Sequence, residues 1–193
     1  PIVENIKNEN LHYLNESGVY YIGDVGFAVL EVRDDESNLP DPTTINAKTK
    51  ILLYHGTVDK SQTDLGFYLP SAVKLKDFNG YDMVMLGDIH KMQTMQEYKS
   101  GKITKPIVRY CGSLVQQNHG ETLKGHGVSV WDVKNRKFTH KEIENDYGYY
   151  TLHIEDGLVP KVDDLPIDKQ IKDLKQPKQD ISAETKAPPK KVD

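Results

Sequence analysis

Met83-Val84-Met85-Leu86-Gly87-Asp88-Ile89-His90, led by Tyr81-Asp82, is the stretch on which the fold class turns. Its apolar part is continuous, short, and bounded by Asn79-Gly80 before it and Gly87 after it. Such a run reads as a strand buried on both faces. Upstream, Lys50-Ile51-Leu52-Leu53-Tyr54 repeats the pattern and runs into His55-Gly56. Downstream, Ile107-Val108-Arg109-Tyr110 runs into Cys111-Gly112-Ser113. In layered α/β folds the loops just past strand C-termini form the ligand crevice.

Working outward, Val19-Tyr20-Tyr21-Ile22 and Phe27 to Val32 flank Gly23-Asp24-Val25-Gly26 and read as a hairpin. Asp34 to Thr44, with two prolines and several Asp, Ser and Asn, reads as a loop. Pro70 to Phe78 suits a helix, with Pro70 near its start and Asn79-Gly80 as its stop. Val128 to Trp131 and Tyr149 to Ile154 add further strands. The expectation is a layered α/β or α+β protein, strand-rich with few helices.

Composition divides the chain. All 11 Tyr, 4 Phe and the single Trp lie at or before Tyr150. After Asp156 Lys, Asp, Gln and Pro dominate, and over 176–193 apolar surface is too scarce to offset chain entropy. The expected organisation is an ordered part over 1–156, a following segment or linker over 157–175, and a disordered Lys/Pro-rich tail over 176–193. A short helix around Asp168–Lys175 would place Ile171 and Leu174 on one face.

Of the 193 residues, 37% are hydrophobic and 28% charged, enough for one domain with a lean core. A net charge of −4 does not mark a nucleic-acid binder in bulk. Binding to DNA would need local basic patches or metal ions that offset phosphate charge. The single Cys111 excludes an internal disulfide and fits a reducing, intracellular setting, cytoplasmic or nucleoid/nuclear. No apolar run approaches the length of about 18 residues that spans a membrane, and the start lacks a signal pattern. The chain begins at Pro1 with no initiator Met, as expected of a fragment or a processed piece.

The chemistry-bearing residues come just after the buried runs. Asp88 and His90 are two apart, so an extended segment points them the same way. With His55 they make one carboxylate and two imidazoles at strand ends, a plausible ligand set for a divalent metal. The competing reading is packing or hydrogen-bonded loop residues. Gly112, Ser113, Gln116 and Asn118 form a Gly-Ser turn and a polar segment able to bind phosphate or sugar. The competing reading there is a solvated loop.

Taken together, these segments resemble a known family. Tyr54-His55-Gly56-Thr57-Val58, Leu86-Gly87-Asp88-Ile89-His90-Lys91-Met92-Gln93, Tyr110-Cys111-Gly112-Ser113-Leu114-Val115-Gln116, Gly125-His126-Gly127-Val128 and Trp131-Asp132-Val133 resemble the last motifs of calcineurin-like metallophosphoesterases. The Gly-Ser-Leu run, with the Gln, Asn, Glu and His-Gly pattern after it, points to the SbcD-like DNA-repair exonuclease branch and its phage and viral relatives. The likeness covers most of Pro1 to Asp156, which would make the fold part of a metallophosphoesterase sandwich.

The resemblance implies two divalent metal ions, manganese first and magnesium second, that activate a water against a phosphodiester. His55 matches the His of the His-Gly motif, a ligand to the second metal. His90 matches the second His of Gly-His-x-His, a ligand to the first. Asp88 stands where that motif has its first His; a carboxylate is a hard ligand suited to manganese or magnesium. It adds negative charge and would weaken the metals as Lewis acids. The family's N-terminal motifs are an Asp-x-His, a Gly-Asp with the bridging Asp, and a Gly-Asn-His-Asp. They have no counterpart ahead of these segments, and Pro1 onward resembles the segment just after the Gly-Asn-His-Asp motif. The implied function is a C-terminal portion of a metal-dependent DNA exo/endonuclease of double-strand-break repair or recombination, inactive as this chain alone. The implied partners are DNA and an SbcC-type coiled-coil ATPase, with a homodimer among the assemblies allowed. Two other readings stand beside it: another phosphoesterase of the same fold, acting on phosphoproteins or small phosphodiesters, and a catalytically dead partner-binding domain.

Overall fold

The computed structural model describes residue 6, residues 8–102, 104–145, 147–149, 154 and 156. The expected helix at 168–175, the tail from 176 and most of the expected strand at 149–154 lie outside the described residues. The chain divides into two compact units, Pro1–Tyr150 and Thr151–Asp193. The strands below all belong to the first.

They are β1 (Gly18–Ile22), β2 (Val25–Leu30), β3 (Thr49–His55), β4 (Ser61–Gln62), β5 (Tyr68–Leu69), β6 (Met83–Gly87), β7 (Gln93–Gln96), β8 (Ile107–Tyr110), β9 (Gly127–Asp132) and β10 (Lys137–Glu142). The main sheet runs β1-β2-β3-β6-β8-β7. Its four central strands are parallel, and β1 and β7 close the two edges antiparallel. The sheet is therefore mixed, in keeping with a layered α/β class. The β1–β2 hairpin pairs Ile22 with Val25, so its loop is Gly23-Asp24. Gly23 takes φ +61°, the value a type II′ turn asks of its first loop residue.

Burial on both faces explains the unbroken apolar runs. On one face Ala28, Leu52, Val84, Val108 and Tyr110 meet Val58, Phe78 and Tyr81 from the loops. On the other, Ile51, Met83 and Ile107 are covered by Trp131, Val133 and Phe138. These last residues come from or adjoin the antiparallel ribbon β9–β10. Asp82 anchors the ribbon: its carboxylate accepts from Arg136 Nε at 2.8 Å and from the Lys50 amide at 2.9 Å.

The expected helix over Pro70–Phe78 is corrected by the structure. Tyr68–Leu69 is a short strand, and only Leu75–Phe78 forms a 3₁₀ turn. The backbone bonds a helix would need go elsewhere. The Asp59 amide donates to Val73 O at 2.8 Å, the Lys60 amide to Leu69 O at 3.1 Å, and Ser71 Oγ to Thr57 O at 2.8 Å. This side-by-side pairing outcompetes local propensity. The Asp34–Thr44 loop carries two more 3₁₀ turns, each N-capped by an aspartate, Asp35 and Asp41. Among the described residues there is no α-helix, and no helix long and apolar enough to cross a membrane.

Candidate functional site

Because β3, β6 and β8 are parallel neighbours, their C-terminal loops emerge along one edge of the sheet. His55 ends β3, Gly87 ends β6 opposite it in register, and Cys111 comes directly after β8. A Cβ on Gly87 would lie 2.7 Å from His55 Cδ2, so the imidazole rests against the bare glycine.

Tyr110 holds the β3 loop in place. Its hydroxyl donates to Gly56 O and accepts the Val58 amide, both at 2.8 Å. Burial pushes the phenol up to about 12, so it stays neutral and can do both. Tyr110→Phe should therefore leave two inward groups unpaired and cost about 1–3 kcal/mol. Urea denaturation of the variant checks this.

The β6 loop is bolted to the β8 loop. Ser113 N donates to His90 O at 3.0 Å, and Cys111 N to Leu86 O at 3.3 Å. Gly112 sits at φ +79°, and a Cβ there would lie 2.9 Å from His90 O and 3.0 Å from Met92 N. Glycine thus meets both demands, the positive φ and the close approach. Asp88 adopts φ +87°, which aspartate tolerates better than most residues. Its Oδ2 accepts from Thr57 Oγ1 at 3.1 Å, which joins the β3 and β6 loops.

Asp88 and His90 are exposed and line one concavity of about 340 Å³ with Lys91, Asn118 and Glu121. The turn between β4 and β5 forms its far wall with Leu65 and Phe67. His55 lines a second, larger concavity of about 780 Å³ with Arg109, Cys111 and Trp131. So the structure brings Asp88 and His90 together and puts His55 beside them along the sheet edge, facing other neighbours.

Ser113, Gln116 and Asn118 spend side-chain hydrogen bonds on the protein itself, within their loop and, from Gln116, on Tyr149. Gln116 is buried, donates to Glu121 O at 3.0 Å and accepts the Tyr149 amide at 2.7 Å. Asn118 accepts the Gly120 amide at 2.8 Å. Ser113 Oγ lies 2.8 Å from His126 Nδ1. Glu121, which sequence reading did not single out, is the hub. Its side chain is only 5% exposed and lies 2.7 Å from His90 Nδ1. Burial works to raise its carboxyl; hydrogen bonds from His90 and the Gln117 amide outweigh that and hold it below the usual glutamate range.

For a hard divalent cation the donors are right in kind. Asp88 offers a carboxylate, and His90 is tied through Nδ1, which leaves Nε2 as its ligating nitrogen among the described residues. In number they are part of a site: among the described residues, no three His, Cys, Asp or Glu side chains converge as a metal-binding set.

Two known proteins are similar to this chain. The chain is 40% identical over 167 residues to an uncharacterized protein of Acanthamoeba polyphaga mimivirus, covering 81% of this chain and 12% of that protein. It is 30% identical over 101 residues to a subunit of the SbcCD nuclease, SbcD, from Staphylococcus saprophyticus, covering 50% of this chain and 25% of that one. The chain thus spans no more than about a quarter of the length of either relative. No protein-family model matches it, and no solved structure does. The partial match to the nuclease subunit supports a metallophosphoesterase-like relationship.

Proposed function

We propose that this chain is the C-terminal portion of a metal-dependent DNA exo/endonuclease of the SbcD-like metallophosphoesterases, acting within the cell in double-strand-break repair or recombination. The observation that carries the reading is the shared concavity of Asp88 and His90 at the ends of parallel strands, with the His90 ring held from behind by a buried carboxylate. The partial likeness to an SbcCD nuclease subunit supports the same reading.

On this reading His90 through Nε2 and Asp88 through its carboxylate would hold one divalent ion, manganese or magnesium, and His55 would contribute to a second. Such ions, when bound, activate water and offset phosphate charge. The chain's own residues supply the frame. Tyr110 fixes the His55 loop, Thr57 restrains Asp88, and Gly112 lets the β8 loop approach His90. The loop of Gly112, Ser113, Gln116 and Asn118 flanks the substrate, shaped by its internal hydrogen bonds. Three donors cannot hold two bridged metals, so the 193-residue chain by itself hydrolyses no phosphodiester at a useful rate. The longer protein would work with DNA and an SbcC-type coiled-coil ATPase.

A partner-binding domain without catalysis is the second reading. Manganese-dependent hydrolysis by the longer protein separates the readings. Linear duplex DNA should be cleaved well ahead of a small phosphodiester. Faster turnover of the small ester would point to another phosphoesterase, and no hydrolysis of either would leave partner binding.

A further inference from the structure

We propose that Glu121 is the positioning residue for His90: it fixes the imidazole as the Nδ1–H tautomer and turns the Nε2 lone pair toward the concavity. The importance for catalysis rests on the function proposed above; the tautomer itself does not.

The donors and acceptors around the pair place the proton. Glu121 Oε1 lies 2.7 Å from His90 Nδ1 and accepts from Asn118 Nδ2 at 2.6 Å. Its Oε2 accepts the Gln117 amide at 2.9 Å and has Ser113 Oγ at 3.3 Å. An ionised carboxylate only accepts, so the proton between Glu121 and His90 sits on Nδ1. In a neutral imidazole that leaves Nε2 bare. Free imidazole side chains favour the opposite tautomer, so the carboxylate imposes the form that a ligand or proton acceptor at Nε2 requires.

Neighbouring groups keep Glu121 in this role. His126 Nε2 lies 2.6 Å from Thr122 O, a carbonyl that only accepts, so His126 carries its proton there. Its Nδ1 then accepts a hydrogen bond from the Ser113 hydroxyl at 2.8 Å. Glu121 is left with His90, Asn118 and the Gln117 amide as its firm donors, and they engage both oxygens. A carboxylate so occupied and so buried is fixed in place and orients its neighbour. His90 and Glu121 stand 31 positions apart, and the Gly112 contact that brings their loops together sets the pair.

The test is nitrogen NMR of the His90 imidazole in this chain at about pH 8.5, well above the usual imidazole range. The wild type should show the Nδ1–H form, and Glu121→Ala should move His90 to a mixture dominated by Nε2–H. Glu121→Gln keeps a carbonyl acceptor and should retain a good part of the Nδ1–H form, which guards against a folding artefact in the alanine variant. A wild-type His90 in the Nε2–H form overturns the inference. So does an unchanged tautomer in a folded Glu121→Ala. In the longer protein, Glu121→Ala should lower metal affinity or turnover about 10–100-fold. A confirmed tautomer with unchanged metal affinity and turnover would leave the positioning intact and count against the proposed function of His90.

Discussion

Alanine at position 127 should unfold the β9–β10 ribbon. Gly127 pairs with Glu142 at the start of the ribbon, and a Cβ there would lie 2.1 Å from the Lys141 carbonyl oxygen and 2.9 Å from Glu142 Cα. Both are backbone atoms of the partner strand, so no side chain can swing aside. The strands must part or the register must slip, and a slip of one residue would turn Trp131 and Phe138 away from Ile51 and Met83. The expected loss is on the order of 4 kcal/mol, the range of severe single substitutions. Trp131 is the only tryptophan and lies in β9, so its fluorescence reports the ribbon directly. Red-shifted emission and a much lower urea midpoint are expected. A wild-type midpoint would show that the ribbon does not seat as described.

The second large effect concerns Asp88 in the longer protein. Asp88→Ala should remove metal affinity and nuclease activity together, by about 100-fold or more, because a carboxylate at the mouth of the concavity is lost. Asp88→His should keep activity with an altered metal preference, since imidazole and carboxylate both ligate but differ in charge and hardness. A loop carboxylate that only accepts from Thr57 would behave otherwise, giving at most about 1 kcal/mol in folding and no change in rate. Manganese binding and rate, measured side by side for both variants, separate the two roles. The left-handed backbone at Asp88 adds a control: Asp88→Asn tolerates the same φ and removes only the charge.

The central strands were legible because each is buried on both sides, so hydrophobicity alone marks them; β3, β6 and β8 stand where the apolar runs stand. The β1–β2 hairpin was legible, but its turn was read as Gly23-Asp24-Val25-Gly26, whereas Val25 and Gly26 already pair in β2. Strand β7, Gln-Thr-Met-Gln, is half-buried throughout and gives no alternation to read. Strand β10 hides its one large apolar residue, Phe138, among charged neighbours. The Pro70–Phe78 segment misleads because its punctuation is that of a helix, while its backbone partners lie on the distant Thr57–Lys60 loop. Of the site, the place of Asp88 and His90 just past a buried run could be read, but the extended backbone assumed for their spacing is not there, since Asp88 takes φ +87°. Glu121 could not: nothing local marks it as buried, and only the folding of two loops against each other brings it to His90.

The role of His90 is tested most directly by manganese-dependent hydrolysis of linear duplex DNA by the longer protein, wild type against His90→Ala, with thermal melting as the check on folding. His90 is half exposed but pairs with the buried Glu121 carboxylate, so its loss should lower the melting point modestly, and rates are compared at a temperature where both proteins are folded. A metal-ligating His90 predicts a fall in rate of about 100-fold or more, in the range expected when an interaction essential to the reacting centre is removed. A folded His90→Ala protein that cleaves at the wild-type rate would contradict it.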